Sequence, residues 1–280
     1  MAVQPSVEGE LKRLYAETAR CTRCHSIPQI GDLVRRGGLF IFVPPHVERP
    51  PHTFLLLGWE PFGAWERNPS LARRKVDGGY VNFHAQRGDY LLHYAVERHL
   101  LGLGDGYFIT DVAKCAMVPG DICEATRSQR IRKCFVRLEE EVRLMRPRCV
   151  VSIGAQPAQG LSERGLGLPV PVVPILHHSR TNIPHRQRLV RDNPVAARAY
   201  QALVASKTAL LLDFNKFVDA RLEAIRVANN MREDVYSELR QGNYPIPALT
   251  EPDLMLLAVY QLQLGTIATR YGRPVSGQTE

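Results

Sequence analysis

The chain has 280 residues, 45% of them hydrophobic and 23% charged, an ordinary globular composition with enough length to bury one large core or two smaller ones. No stretch approaches the roughly 20 apolar residues of a membrane span, and a polar start containing Glu8 and Glu10 does not read as a secretory signal. The net charge of +8 suits an anionic partner such as nucleic acid, and equally a plain solvated basic surface.

In chain order, residues 8–20 are predicted helical, with Leu11, Leu14 and Tyr15 on one face. Cys21-Thr22-Arg23-Cys24 follows directly. Residues 25–50 carry a Gly-Gly turn, an apolar run over 39–43 and Pro44-Pro45, and read as a loop with a short strand or hairpin. The apolar run 54–57 stops at Gly58 and suits a buried parallel strand. A helix is predicted over 88–103, a second buried strand over 107–110, and an amphipathic helix over 129–146 with Phe135, Leu138, Val142 and Met145 inward. Residues 149–153 form a third strand ended by Gly154, and 170–176 a fourth ended by His177-His178. Strands alternating with helices argue for an α/β domain with a mostly parallel sheet, in which ligands bind beyond the carboxyl ends of the strands. From about residue 194 the composition shifts to Ala, Leu, Arg and Glu, with helices predicted over 195–241 and 253–271 around a proline-containing loop. The expected division is an α/β domain over 1–193 and a helical C-terminal extension over 194–280. In that extension, Leu210, Leu211, Phe214 and Phe217 are expected to pack on the core.

Six cysteines without an export signal read as thiols in a reducing cytosol, so a cytoplasmic protein is expected rather than a disulfide scaffold. A CxxC pair at Cys21 and Cys24, closed by the remote Cys115 and Cys134, is a common way to hold a metal or an iron–sulfur cluster.

The strand ends carry the remaining chemistry. Gly58-Trp59-Glu60-Pro61-Phe62-Gly63 places a carboxylate in a tight turn, where it can orient a water, or where it is simply a solvated turn residue. Asp111, with Lys114 just after it, could read a ligand's polar edge or cap a turn. His177-His178-Ser179, with Arg180, His185, Arg186 and Arg188 shortly after, can donate to a developing anion and grip phosphates. Gly154 to Ala158 reads as a strand-to-helix turn.

Taken in order, these motifs resemble the uracil-DNA glycosylase superfamily, and most closely its iron–sulfur branch, family 4. The matching stretches are Cys21-Cys24, the loop from Gly58 to Gly63, Ile109 to Cys115, Cys134, Val150 to Ala158, and His177 to Ser179. The resemblance implies a three-layer α/β/α sandwich and a 4Fe–4S cluster on Cys21, Cys24, Cys115 and Cys134. Zinc on the same thiols is the alternative metal, and Cys123 competes with Cys134 as fourth ligand. It also implies hydrolysis of the glycosidic bond of a flipped base in DNA, as in base-excision repair. Glu60 and His177 would be catalytic. Gly58, Trp59, Phe62, Phe83 and Asp111 would bind the base, with Tyr80 a rival of Phe83 for stacking. Ser179 and Arg180 would contact phosphate.

The chain departs from the pattern at three places. Trp59 stands where the branch usually has Glu. His178 replaces the Pro of His-Pro-Ser. Asp111 replaces the Asn that reads uracil, and an ionised Asp only accepts hydrogen bonds. The competing expectation is therefore an altered or inactive member that binds nucleic acid, a nucleotide or a partner protein, the last through the C-terminal helices.

Overall fold

The computed structural model describes residues 6–45, 53–61, 67–118 and 123–272. Phe62 and Gly63 of the first strand-end loop, and the side chain of Arg180, lie outside the described residues. The elements are α1 (Val7–Ala19), α2 (Pro28–Arg35), β1 (Leu39–Phe42), β2 (Phe54–Gly58), α3 (Pro69–Asp77), α4 (Arg87–His99), β3 (Tyr107–Asp111), β4 (Cys115–Val118), α5 (Glu124–Met145), β5 (Cys149–Ile153), α6 (Ala155–Glu163), β6 (Val172–Ile175), α7 (Ile183–Asp192), α8 (Pro194–Ala205), α9 (Lys207–Ala228), α10 (Glu233–Asn243) and α11 (Glu251–Tyr271).

Continuous apolar runs form strands when both sheet faces are covered, because successive side chains point to opposite sides and both sets leave water. That is the case for β2, β3 and β5, buried at every residue. The four main strands form a parallel sheet in the order β3-β2-β5-β6. Leu55 and Leu57 join Phe108, Val150 and residues of α1, α5 and α6 on one face. Phe54 and Leu56 join Ile109, Val151 and residues of α4, α9 and α11 on the other. The result is a three-layer α/β/α sandwich with C-terminal helices, as expected from the sequence. Fully burying each such Leu contributes about 1.5–3 kcal/mol. β1 and β4 form a separate antiparallel pair, with Phe42 opposite Cys115.

Helices α2, α3 and α7 and strand β4 were not expected from the sequence pattern. α2 has only eight residues, too short for periodicity to declare itself. β4 has four, and its pairing with β1 is long-range. The basic stretch after His178 is largely helix α7 rather than loop. Residues 195–241 divide into three helices, with breaks at Ser206 and before Glu233. Phe214 is fully buried, and Leu210, Leu211 and Phe217 pack against the same core. α11 packs on α4, α7, α8 and β6. No helix among the described residues is long and apolar enough to cross a membrane.

Candidate functional site

A cleft of about 880 Å³ opens at the carboxyl ends of the parallel strands, where such sheets bind ligands. It is lined from β2 by Gly58, Trp59 and Glu60, from β3 by Asp111, from β5 by Gly154, and from β6 by His177, His178 and Ser179. Tyr80, Asn82 and Phe83, from the segment between α3 and α4, and Asp89 in the first turn of α4 close it. The strand-end residues singled out in the sequence therefore meet in one place, apart from Phe62, which is outside the described residues, and Arg180, whose side chain is.

Gly58 makes the floor possible. A Cβ there would lie 2.2 Å from Asp111 Oδ1 and 2.7 Å from Phe83 Cζ, closer than any real contact. The parallel register sets Gly58 beside Asp111, so the carboxyl and the aromatic ring both rest over a position that must lack a side chain. Asp111 is buried, and its Oδ2 accepts from Asn82 Nδ2. Lys114 Nζ donates to the Asp111 main-chain carbonyl and to Glu141 Oε2, 2.6 Å away. No ion pair forms at the Asp111 carboxyl among the described residues. Burial pushes that carboxyl up to about 8. The Glu60 and Glu141 charges add to the rise, and Lys114 and the Asn82 hydrogen bond oppose it. At neutral pH Asp111 is thus a carboxylic acid, able to donate as well as accept. The acceptor-only behaviour expected of this residue is corrected by its burial.

Glu60 sits at the cleft edge, ion-paired with the buried Arg130 of α5 and 3.6 Å from Arg127 Nε. Trp59 is buried against Gly160 and beneath the Arg164 guanidinium, 5.3 Å from the ring centroid. Trp59 also lines the cleft.

On the opposite wall, Gly154 adopts φ +86°, which glycine alone holds readily, and a Cβ there would lie 3.2 Å from His177 Cβ. His177 Nδ1 accepts from the Ser179 backbone N–H at 2.9 Å. A neutral ring must then carry its proton on Nε2. Burial holds His177 down at about 4, helped by the neighbouring His178 and opposed by Asp89. His177 is therefore a neutral donor through Nε2. His178 stacks on it at 4.4 Å, and its Nε2 is 3.1 Å from Asp89 Oδ1. Asp89 Oδ2 accepts from the Ala85 and Gln86 amides and caps α4. Arg186 of α7 donates to the carbonyls of His178 and Ser179 and so fixes this loop. Ser179 Oγ accepts from Asn182 Nδ2 at 3.0 Å.

Asn82, Asp89 and Arg130 were not singled out from the sequence, whereas Arg186, expected among the arginines able to grip phosphate, is instead spent on the His178 and Ser179 carbonyls. Asn82 had one available signal: it directly precedes Phe83 in Gly-Gly-Tyr-Val-Asn-Phe. The others sit in helices or helix starts whose polar residues look like solvated surface.

Cys21, Cys24, Cys115 and Cys134 line a second, smaller cavity between the end of α1, β4 and α5. Cys24 and Cys134 are both buried in one small cluster with Ile27, Ile30 and Met117. Lys114, Lys133 and Arg137 share the lining, and Arg130 also acts on these thiols, so positive charge is at hand to offset thiolates. Four soft donors in a cationic pocket fit a metal or iron–sulfur cluster chemically. Among the described residues, however, no three His, Cys, Asp or Glu side chains stand in a ready-made metal-binding group. Cys123 is exposed at the start of α5 and bonds Thr126 Oγ1 at 3.3 Å, away from this cavity. Cys149 is buried in the sheet.

Residues 73–203 match the family model described as Uracil DNA glycosylase superfamily. No curated protein matches the chain. The matched segment contains Phe83, Asp111, Cys115, Cys134 and His177. The CxxC and the Gly58 loop precede it, and α9 follows it.

Proposed function

We propose that this chain, which carries a uracil-DNA glycosylase superfamily domain over residues 73–203, is a DNA-base N-glycosylase. The observation that carries the reading is the convergence of a neutral Asp111, a neutral His177 with its proton on Nε2, the Phe83 ring and the Glu60 carboxylate on one cleft.

In this reading the target nucleotide leaves the base stack and its base enters the cleft. Phe83 stacks on it above Gly58. The Asp111 acid donates to a base carbonyl, as an Asn amide would, which favours deaminated bases such as uracil or hypoxanthine over cytosine or adenine. The glycosidic bond breaks with its electron pair leaving on the base. The His177 Nε2–H stabilises that anion, a kind of contact typically worth 10²–10³-fold in rate. Glu60 faces the sugar cation and orients the water, whose oxygen adds to C1′ as a hydroxyl while its other proton ends on the departed base. Ser179 and Arg180 are the phosphate contacts. Cys21, Cys24, Cys115 and Cys134 would hold a 4Fe–4S cluster, or zinc, as a structural fastening of the N-terminal segment to β4 and α5.

One observation favours a second reading. Glu60 is neutralised by Arg130 and approached by Arg127, which suits a member that binds nucleic acid without excising a base. Oligonucleotides carrying uracil, hypoxanthine, xanthine or normal bases, single- and double-stranded, separate the two. Abasic-site formation on a deaminated base supports the glycosylase. DNA binding with no abasic site on any substrate supports the second reading.

A further inference from the structure

The base-facing loop is gripped from behind by a helix that lies beyond the family match. Phe83 has φ +61°, a left-handed conformation that is unfavourable for a non-glycine residue and persists only where its surroundings impose it. Two fully buried histidines impose it here. His84 Nδ1 is 2.9 Å from the Asn82 carbonyl, and His93 Nε2 is 3.0 Å from the Phe83 carbonyl. Carbonyls only accept, so these two nitrogens carry the protons.

The other nitrogen of each ring must then accept, and Arg221 of α9 supplies donors to both. Its Nε reaches His84 Nε2 at 3.4 Å, and one terminal nitrogen reaches His93 Nδ1 at 3.3 Å. The Tyr107 hydroxyl also donates to His93 Nδ1, at 2.7 Å. The two imidazoles stack at 4.7 Å, and the Arg221 guanidinium lies 5.6 Å from the Tyr107 ring centroid. Glu97 of α4 pairs with the remaining arm at 3.2 Å.

We infer that Arg221 is a positioning residue for base recognition. By donating to both histidines it holds each in the tautomer that clamps the Asn82–Phe83 backbone. That backbone carries the stacking ring and the amide bonded to Asp111. The C-terminal helices are on this account part of the cleft's machinery rather than a separate attachment. The catalytic consequence rests on the glycosylase reading; the structural one does not.

The fork geometry matters, because a single donor reaches only one imidazole. In Arg221→Gln, amide hydrogen exchange over residues 82–86 is expected to rise about tenfold, with β2 and β5 unchanged. On any base the wild type releases, kcat is expected to fall about 10–100-fold, since small misplacements cost that much. KM should move little, because phosphate contacts dominate DNA affinity. Arg221→Lys should recover part of the loss. Wild-type exchange together with wild-type kcat in a folded Arg221→Gln protein would overturn the inference. Should that variant not fold, imidazole ¹⁵N shifts of the wild type decide: His84 protonated on Nδ1 and His93 on Nε2 support the clamp, and the opposite tautomers overturn it. If the wild type releases no base from any oligonucleotide, the glycosylase reading fails by itself. Exchange and tautomer data still decide the clamp in that case.

Discussion

Asp111→Asn is the most informative single change at this site. The Asp111 carboxyl keeps its proton to about pH 8 in the folded chain, against an ordinary 3.8. Between those values the unfolded chain has lost this proton while the folded chain still holds it. Stability must therefore fall as pH rises through that interval, by at most about 1.4 kcal/mol per pH unit. The accumulated cost is on the order of 4 kcal/mol at pH 7 as an upper bound, because burial and hydrogen bonding also relax in part. An Asn of the same shape has no such proton to lose, and it can turn its carbonyl toward Asn82 Nδ2, which now donates to the acid. The variant should thus be more stable than wild type at pH 8 by a few kcal/mol, each raising Tm by about 2–4 °C. Urea unfolding of both proteins at pH 5, 7 and 9 measures this. The gap should widen from pH 5 to pH 8 and then level off. A gap that does not change with pH would mean instead that the folded carboxyl ionises like the unfolded one. On the glycosylase reading the same titration governs recognition. Wild-type excision of a carbonyl-bearing base should decline above about pH 8 as the donor proton is lost, and the Asn variant should show no such decline.

Three further outcomes are expected. Glu60→Gln should abolish base release while DNA affinity, measured by fluorescence anisotropy, stays within a few-fold of wild type; unchanged release would remove Glu60 from the mechanism. Because His177 stays neutral down to about pH 4, excision should show no loss on acidification through pH 6.5, the usual histidine range, and His177→Ala should lower kcat by about 10²–10³-fold. Cys134→Ser should lose bound iron or zinc, measured by elemental analysis after anaerobic purification, whereas Cys123→Ser should retain it; the reverse pattern would make Cys123 the fourth ligand.

The sheet was legible because its strands are buried on both faces and so read as unbroken apolar runs, as in Phe54-Leu55-Leu56-Leu57. The location of the cleft followed, since each strand end carries its polar group in a fixed place relative to the sheet. What could not be read depends on contacts distant in sequence. The clamp joins Arg221 to His84 and His93 across more than a hundred residues, and within α9 that arginine is indistinguishable from its solvated neighbours. The ionisation of Asp111 was misjudged for the same reason. It follows from burial and from the charges of Glu60, Lys114 and Glu141, none of which local sequence brings together. Short elements such as α2 and β4 were missed because eight and four residues carry too little periodicity.

The central claim is that this cleft releases a base from DNA. Its most direct test is to quantify free base by mass spectrometry after incubating the wild-type protein and Glu60→Gln, in parallel, with uracil- and hypoxanthine-containing oligonucleotides at pH 7. The wild type should free at least one of these bases and the Gln variant neither. Intact oligonucleotide in every reaction, with the protein folded and bound to the DNA, would contradict it.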